Sequence, residues 1–86
     1  MDSNMHDLAR DPRQIGNLVR RARKKHGWSQ SVLAQKAALR QETISLIETG
    51  SATTRIKTLL AVLAALDLEF LIAPRSKGSD EDILFS

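Results

Sequence analysis

Two short helical patterns follow each other almost without a linker in the middle of the chain. The first begins after Ser29, a favourable N-cap residue, and ends near Ala37. A break at residues 38–40 separates it from the second, which runs from Gln41 to about Thr49. Helices this short are marginal alone in water, so both must pack against further helices. Their inward-facing positions are apolar, namely Val32, Leu33, Ala37, Ile44 and Ile47.

A further helix is predicted on each side of this pair. Asp11 and Pro12 favour a helix start, because Asp accepts from free backbone amides and Pro suits the first turn, and Gly27 ends that helix. The last helix is predicted to begin with Thr54 as its N-cap. Only 3% of the residues are aromatic, so the core must be aliphatic, and four helices around it predict an all-α domain over residues 12–66. The apolar stripe of the last helix comprises Ile56, Leu59, Leu60, Leu63 and Leu66.

The apolar spacing changes after Leu66. Residues 67–74 have the pattern of a β-strand that Pro74 ends. A lone strand leaves its backbone donors and acceptors unpaired, so we expect the same strand of a second copy to pair with it antiparallel across a two-fold axis. An extended segment lying on its own core is the alternative. The residues predicted to form the homodimer contact are Leu68, Phe70, Leu71 and Ile72.

Charge is distributed unevenly along the chain. Residues 12–77 hold twelve bases and four acids, whereas residues 1–11 and 78–86 are net acidic. A basic body favours a polyanionic partner, most simply nucleic acid, although solvated helix faces give the same pattern. Residues 1–11 are predicted to be a flexible lead and residues 75–86 a disordered acidic tail. Three apolar residues near the end of that tail suggest docking on a partner or recognition by a protease: Ile83, Leu84 and Phe85.

Several classes of protein are excluded by what the chain lacks. It has no cysteine, so disulfides and thiolate metal sites are excluded. His6 and His26 are far apart and have no nucleophile, paired carboxylate or metal-ligand spacing beside them, and there is no Gly-rich phosphate loop. We therefore expect neither an enzyme nor a metal or other cofactor. No apolar run has the length of a signal peptide or a membrane span, which predicts a cytoplasmic protein with no membrane partner.

Two short helices joined by about four residues inside a four-helix domain form a helix-turn-helix arrangement. Residues 14–66 resemble the phage-repressor-like (XRE/Cro) family. The chain departs from that family at Ala38, where the family usually has Gly in the turn, so Ala38 must adopt a strained backbone or shift the turn. The positions that carry the resemblance are Ser29, Gln30, Leu33, Ala34, Ala37, Leu39, Thr43, Ile44, Ser45, Ile47, Glu48 and Gly50.

The third helix is the expected DNA-reading element. A helix fits the major groove, and the residues of its N-terminal turn meet the base edges. Arg40 occupies the helix start, where it has no acceptor to cap the free amides, and we expect it to bind guanine or a phosphate. Gln41 is expected to read adenine, and Ser45 to reach a base or a water. Glu42 could accept a hydrogen bond from cytosine N4, but a carboxylate is unfavourable near phosphates. It also suits the helix N-terminus, so it is interpreted as a solvated residue.

Phosphate contacts fix the register of a protein on DNA rather than its sequence preference. In the family that this chain resembles, the start of the second helix lies on the DNA backbone, which implies Ser29 and Gln30 as donors. Thr43 is a further candidate, and the basic end of the first helix adds Arg20 and Lys24. The same resemblance implies that Glu48 holds the first helix through a basic partner, either Arg20 or Arg23.

The order of helices, strand and tail resembles a narrower group, the HipB-type antitoxins. In that group one strand forms an intersubunit lid after four helices, and a basic residue followed by Gln is accepted at the positions of Arg40 and Gln41. The resemblance implies a HipA-like serine/threonine kinase toxin as partner, and a dimer that represses its own operon. A stand-alone phage-like regulator without a toxin remains the alternative, and an interaction module that binds no DNA is a third.

Overall fold

The computed structural model describes residues 7–75 and contains four helices in that range. The four-helix, all-α prediction is therefore confirmed. Residues 68–75 have no regular secondary structure in the single chain, and the intersubunit strand stays a prediction. The far N-terminus and the tail with Ile83, Leu84 and Phe85 lie outside the described residues. The helices are α1 (Pro12–Lys25), α2 (Gln30–Ala37), α3 (Gln41–Glu48) and α4 (Ile56–Ala65).

Side-chain caps define the starts of α1 and α2. Asp11 Oδ1 accepts from Gln14 N at 2.8 Å, and Ser29 Oγ accepts from Val32 N at 3.1 Å, both as the sequence predicts. The predicted cap of α4 is wrong, because the N-cap is Arg55, which makes no side-chain capping bond. Thr54 instead lies half-buried in a cleft beside Ile47 and Leu59, so packing takes precedence over capping there.

The core is aliphatic and lies between all four helices. α3 packs against both α1 and α2, and α2 packs against α4. The predicted inward stripe of α4 is wrong at two positions, since Ile56 is 73% exposed and Leu60 is 46% exposed. Val62 is buried instead, because the buried face of α4 comprises positions 59, 62, 63 and 66. The side chains with almost no exposed surface are Val19, Leu33, Ile44, Val62 and Leu66.

α1 and α3 approach each other closely at Gly16. A Cβ atom at this position would overlap the carbonyl oxygen of Ile47 and lie 2.8 Å from that of Glu48. Both obstacles are backbone atoms, so they cannot move aside as a flexible side chain would. The absence of a side chain at Gly16 therefore sets the distance between α1 and the C-terminal end of α3.

The turn between α2 and α3 contains the predicted strained alanine. Ala38 has φ 60° and ψ 44°, a left-handed conformation that usually requires glycine. Leu39 N donates to Ala34 O at 2.8 Å and closes the end of α2 as in a Schellman motif. The turn thus keeps its usual geometry, and Ala38 carries the strain.

We expect Ala38→Gly to stabilise the domain by about 1 kcal/mol, because glycine adopts the left-handed conformation without a Cβ clash. Urea unfolding followed by circular dichroism measures the change. Ala64→Gly is the matched control, since Ala64 is an exposed position within α4 and glycine there should destabilise by roughly 0.5–1 kcal/mol. An unfolding midpoint for Ala38→Gly at or below that of the wild type would contradict the role of strain at this turn.

Candidate nucleic-acid interface

The two sides of α3 differ sharply in polarity and burial. Ile44, Ile47 and Glu48 face the interior and are buried. On the outer side Arg40, Gln41 and Glu42 are exposed, and Ser45 is half-buried. Arg40 is the N-cap residue of α3 and makes no capping bond, as the sequence predicts. α3 therefore presents a polar outer face whose position is fixed by its buried side.

Four polar residues of α2 and α3 line one shallow, open depression: Gln30, Gln41, Glu42 and Ser45. Within residues 7–75, the side chains of Arg40, Gln41, Glu42 and Ser45 form no hydrogen bond or ion pair. Two of the predicted base-reading residues, Gln41 and Ser45, thus share one surface, and Arg40 directly precedes it as the N-cap residue of α3. Thr43 lies elsewhere, half-buried in a cleft beside Leu46 and Arg55.

The start of α2 borders this depression and carries the two donors predicted for phosphate. The hydroxyl of Ser29 accepts from Val32 N, so its own hydrogen is free to donate. Gln30 Nε2 donates to Glu48 Oε1 at 3.1 Å. The amide of Gln30 therefore has a structural role, and only its second hydrogen is available to a phosphate.

A buried ion pair holds the other end of α3 to α1. Arg23 Nε donates to Glu48 Oε2 at 2.6 Å, and Arg23 Nη2 donates to Glu48 Oε1 at 3.0 Å. Each residue is only 8% exposed. Arg23 Nη1 also donates to Trp28 O at 2.8 Å, in the linker before α2. Of the two predicted partners of Glu48, the structure selects Arg23.

This network shifts the pKa of both members of the pair. The hydrogen bond that Arg23 donates to Glu48 raises the pKa of Arg23, against the opposing effect of burial. Burial alone raises the pKa of Glu48, but hydrogen bonds from Arg23 and Gln30 and the charges of Arg23 and Arg20 bring it below its ordinary value. Both groups are therefore charged at neutral pH.

The basic end of α1 supplies positive charge on the surface. Arg20 and Lys24 are both exposed and stand four residues apart, so they share one side of α1. Arg20 lies close enough to Glu48 to lower its pKa, which places it near the end of α3. Arg21 is engaged elsewhere, in an exposed ion pair with Asp7 at 3.5 Å.

The segment after α4, residues 67–74, is called here the arm. Its beginning lies against the helices, because Leu68 N donates to Leu63 O at 2.8 Å. Leu68, Phe70 and Leu71 border an apolar depression together with side chains of α1 and α4. Further along, exposure increases, with Phe70 at 50% and Ile72 at 96%. The arm of a single chain thus leaves much of its apolar surface uncovered.

Neither a metal centre nor a membrane span is present in residues 7–75. No group of three or more His, Cys, Asp or Glu side chains comes together there in a way that could hold a metal ion. No helix in this range is long and apolar enough to cross a membrane.

Comparison with known proteins identifies the family of the chain. Residues 19–71 match the helix-turn-helix family. The antitoxin HipB of Escherichia coli (strain K12) is 33% identical over 70 residues, which span 81% of this chain and 80% of HipB. The chain belongs to the helix-turn-helix family of HipB-type antitoxins. Antitoxin HipB of Escherichia coli O6:H1 matches at the same identity over 70 residues, covering 74% of that protein.

Solved structures of HipB share the fold of this HipB-type antitoxin. A HipB–O4 20mer complex superimposes with a TM-score of 0.77 at 30% identity, covering 83% of this chain and 100% of that chain. The structure of a HipA–HipB–O2–O3 complex superimposes with a TM-score of 0.76, also at 30% identity and with the same coverage. The helical arrangement described above is therefore that of the HipB-type antitoxins.

Sequence reasoning missed two residues that shape this surface of the HipB-type antitoxin. The sequence predictions leave out Gly16, although an isolated glycine inside a helical pattern often has a packing role. Gln30 was assigned only to phosphate, whereas its amide is bonded to Glu48. No local pattern could have shown that second contact, because it joins residues 18 positions apart.

Proposed function

We propose that this chain is a dimeric, sequence-specific DNA-binding repressor that acts as a HipB-type antitoxin in the cytoplasm. The observation that carries the proposal is the outer face of α3. It is polar, exposed and without intramolecular partners within residues 7–75, on a chain that is 33% identical to HipB. A helix of this kind is suited to the major groove, where polar side chains meet base edges. The role is that of a regulator rather than an enzyme.

Base reading is assigned to the N-terminal half of α3. Arg40 presents a guanidinium fork that matches the O6 and N7 acceptors of guanine. Gln41 offers one donor and one acceptor, which match N7 and N6 of adenine. Ser45 stands one turn after Gln41 and reaches a base or a bound water. Gln41 and Ser45 border the same open depression, and Arg40 is the N-cap residue directly before Gln41.

Phosphate binding is assigned to residues around that face, which would fix the register of the protein on the duplex. The free hydroxyl hydrogen of Ser29 and the second amide hydrogen of Gln30 supply donors at the start of α2. Arg20 and Lys24 supply positive charge from α1. Thr43 is the weakest member of this set, because it lies in a different cleft.

Dimerisation is assigned to the arm. Leu68, Phe70, Leu71 and Ile72 lie in a segment whose apolar surface is largely uncovered in one chain. Antiparallel pairing with the arm of a second copy would satisfy the backbone groups and cover the side chains. A two-fold dimer also presents two copies of α3 to two half-sites about one turn of DNA apart.

A HipA-like serine/threonine kinase toxin is the proposed protein partner, with autoregulation of a shared operon. The similarity to the HipB chain of a HipA–HipB–O2–O3 complex supports this partner. In this proposal residues 12–66 bind DNA, and residues 67–74 pair the two copies. Ile83, Leu84 and Phe85, outside the described residues, are proposed as a segment that a partner or a protease recognises.

The direct test is binding to the promoter region that precedes the chain's own gene. We expect a fluorescently labelled duplex from this region to bind more tightly than a shuffled duplex of the same composition. Because several phosphate contacts release counterions, affinity should fall steeply as salt is raised from about 50 to 200 mM. Equal affinity for both duplexes at every salt concentration would overturn the proposal.

Arg40→Ala is expected to weaken binding to the promoter by about 1–3 kcal/mol and to relax the preference at one base position. The physical reason is the loss of a paired hydrogen bond to guanine. Arg75→Ala is the control, because it removes the same charge from an exposed position outside the reading face. Competition binding against a panel of single-base variants measures both effects. Uniform weakening on every duplex would assign Arg40 to a phosphate instead.

A further inference from the structure

Glu42 is an acidic side chain on a surface proposed to meet a polyanion. It is exposed at the second position of α3 and forms no ion pair or hydrogen bond within residues 7–75. It borders the same depression as Gln30, Gln41 and Ser45. Near phosphates an uncompensated carboxylate is repelled, so its place on this surface requires an explanation.

The spacing along α3 puts Glu42 inside the reading face rather than at its edge. Ser45 follows Gln41 by four residues and Glu42 by three, so the three side chains form one neighbouring group on the helix surface. The opposite side of α3, with Ile44, Ile47 and Glu48, is buried in the core. When α3 lies in the major groove, the group that carries Glu42 therefore faces the base edges.

The favourable effect of an acid near a helix N-terminus does not decide the role of Glu42. That interaction stabilises α3 wherever the side chain points, because it depends on the position along the helix. The placement beside Gln41 and Ser45 carries the inference, since it determines which groups of DNA the carboxylate meets.

Base chemistry selects what a carboxylate can bind in the major groove. An ionised carboxylate only accepts hydrogen bonds, so its targets are the amino groups of cytosine and adenine. Adenine places the acceptor N7 beside its amino group, which suits an amide and repels the second carboxylate oxygen. Cytosine offers its N4 amino group without an acceptor of its own beside it, and is therefore the favoured base.

We propose that Glu42 is a specificity-determining residue that selects cytosine at one position of each half-site. The proposal rests on the DNA-binding function proposed above and extends it to one named base. The carboxylate accepts a hydrogen bond from cytosine N4 at the correct site. At guanine or thymine it meets no donor, and at adenine the neighbouring N7 opposes it, so it also weakens binding to non-specific DNA.

The experiment is a selection from a library of duplexes with randomised half-sites, using the full chain. Wild type, Glu42→Ala and Glu42→Gln are compared, with Asp7→Ala as a control that removes one negative charge from an exposed residue away from α3. Wild type and Asp7→Ala should enrich cytosine at the same position. Glu42→Ala should lose that preference and keep the others, whereas Glu42→Gln should shift it towards adenine.

Binding to single duplexes gives the size of the effect. Wild type should prefer the selected duplex over one with that cytosine replaced by thymine by about 5- to 150-fold, and Glu42→Ala should bind both about equally. If wild type enriches a site and Glu42→Ala enriches it with unchanged base weights, the role of Glu42 is overturned and the proposed function stands. If wild type enriches no sequence, the proposed function fails, and this inference fails with it.

Discussion

Glu48→Ala is expected to destabilise the domain by about 3–5 kcal/mol, the usual consequence of removing one partner from a buried ion pair. The variant leaves the guanidinium of Arg23 buried without its carboxylate, and Gln30 loses its acceptor. Since native domains are stable by only about 5–15 kcal/mol, much of the folded population would be lost at physiological temperature. Urea unfolding followed by circular dichroism and by the fluorescence of Trp28 measures the change.

The ion pair between Arg21 and Asp7 supplies the matched control. Both of its side chains are 64% exposed and their charged atoms are 3.5 Å apart, so Asp7→Ala should cost at most about 1 kcal/mol. Replacing the buried pair by Arg23→Met together with Glu48→Leu should restore part of the lost stability, because no unpaired charge is then buried. A loss for Glu48→Ala no larger than that for Asp7→Ala would refute the structural role of the pair.

The pH dependence of unfolding provides an independent measure of the same contact. The pKa of Glu48 lies below its ordinary value of 4.5 in the folded chain, so its ionised form is favoured by folding. This stabilisation is fully present above the ordinary pKa and is lost as the pH falls through the lower, folded value. Wild type should therefore lose stability on acidification below pH 4.5, and Glu48→Ala should lack that part of the decline.

The second large effect is expected at the arm. Phe70→Asp combined with Ile72→Asp should convert the dimer to monomers, because charged side chains would be buried without partners in the paired arms. Both residues are exposed in the single chain, so the fold itself should survive. Losing the second half-site should weaken binding to the promoter by about 10²- to 10⁴-fold, since the linked copies no longer bind together.

Analytical ultracentrifugation at micromolar concentration tests the oligomeric state directly, and circular dichroism checks that the helices remain. Phe70→Leu combined with Ile72→Val is the matched control, because it keeps both positions apolar and should leave the dimer intact. Dimers that persist in the aspartate variant would show that the arm is not the pairing element. The exposed Ile56 and Leu60 of α4 would then be the next surface to test.

Local chemistry explains which parts of the fold were predictable. The caps at Asp11 and Ser29 and the start of α3 follow from side-chain hydrogen bonding and apolar spacing within a few residues. The strained turn at Ala38 was also visible, because the family pattern expects glycine there. The polar outer face of α3 follows from the same spacing, since Ile44 and Ile47 occupy the opposite side, although Leu46 is exposed.

Packing between distant segments explains what could not be predicted. Arg20 and Arg23 are three residues apart and lie near the same side of α1, so only the position of α3 decides which one bonds Glu48. The N-cap of α4 is Arg55 rather than Thr54, which lies half-buried in a cleft beside Ile47 and Leu59. The predicted strand of the arm is absent from the single chain, and its pairing with a second copy stays a prediction.

The contacts among Arg23, Glu48 and Gln30 join α1, the start of α2 and the end of α3 into one hydrogen-bonded unit. A reading surface that is already ordered loses little conformational freedom when it docks. The rate of association with DNA is then determined by diffusion, orientation and charge attraction, without a folding step. Differences in affinity among related sites arise mainly from differences in the dissociation rate. The time for which a promoter stays repressed therefore reflects how slowly the protein dissociates from each site.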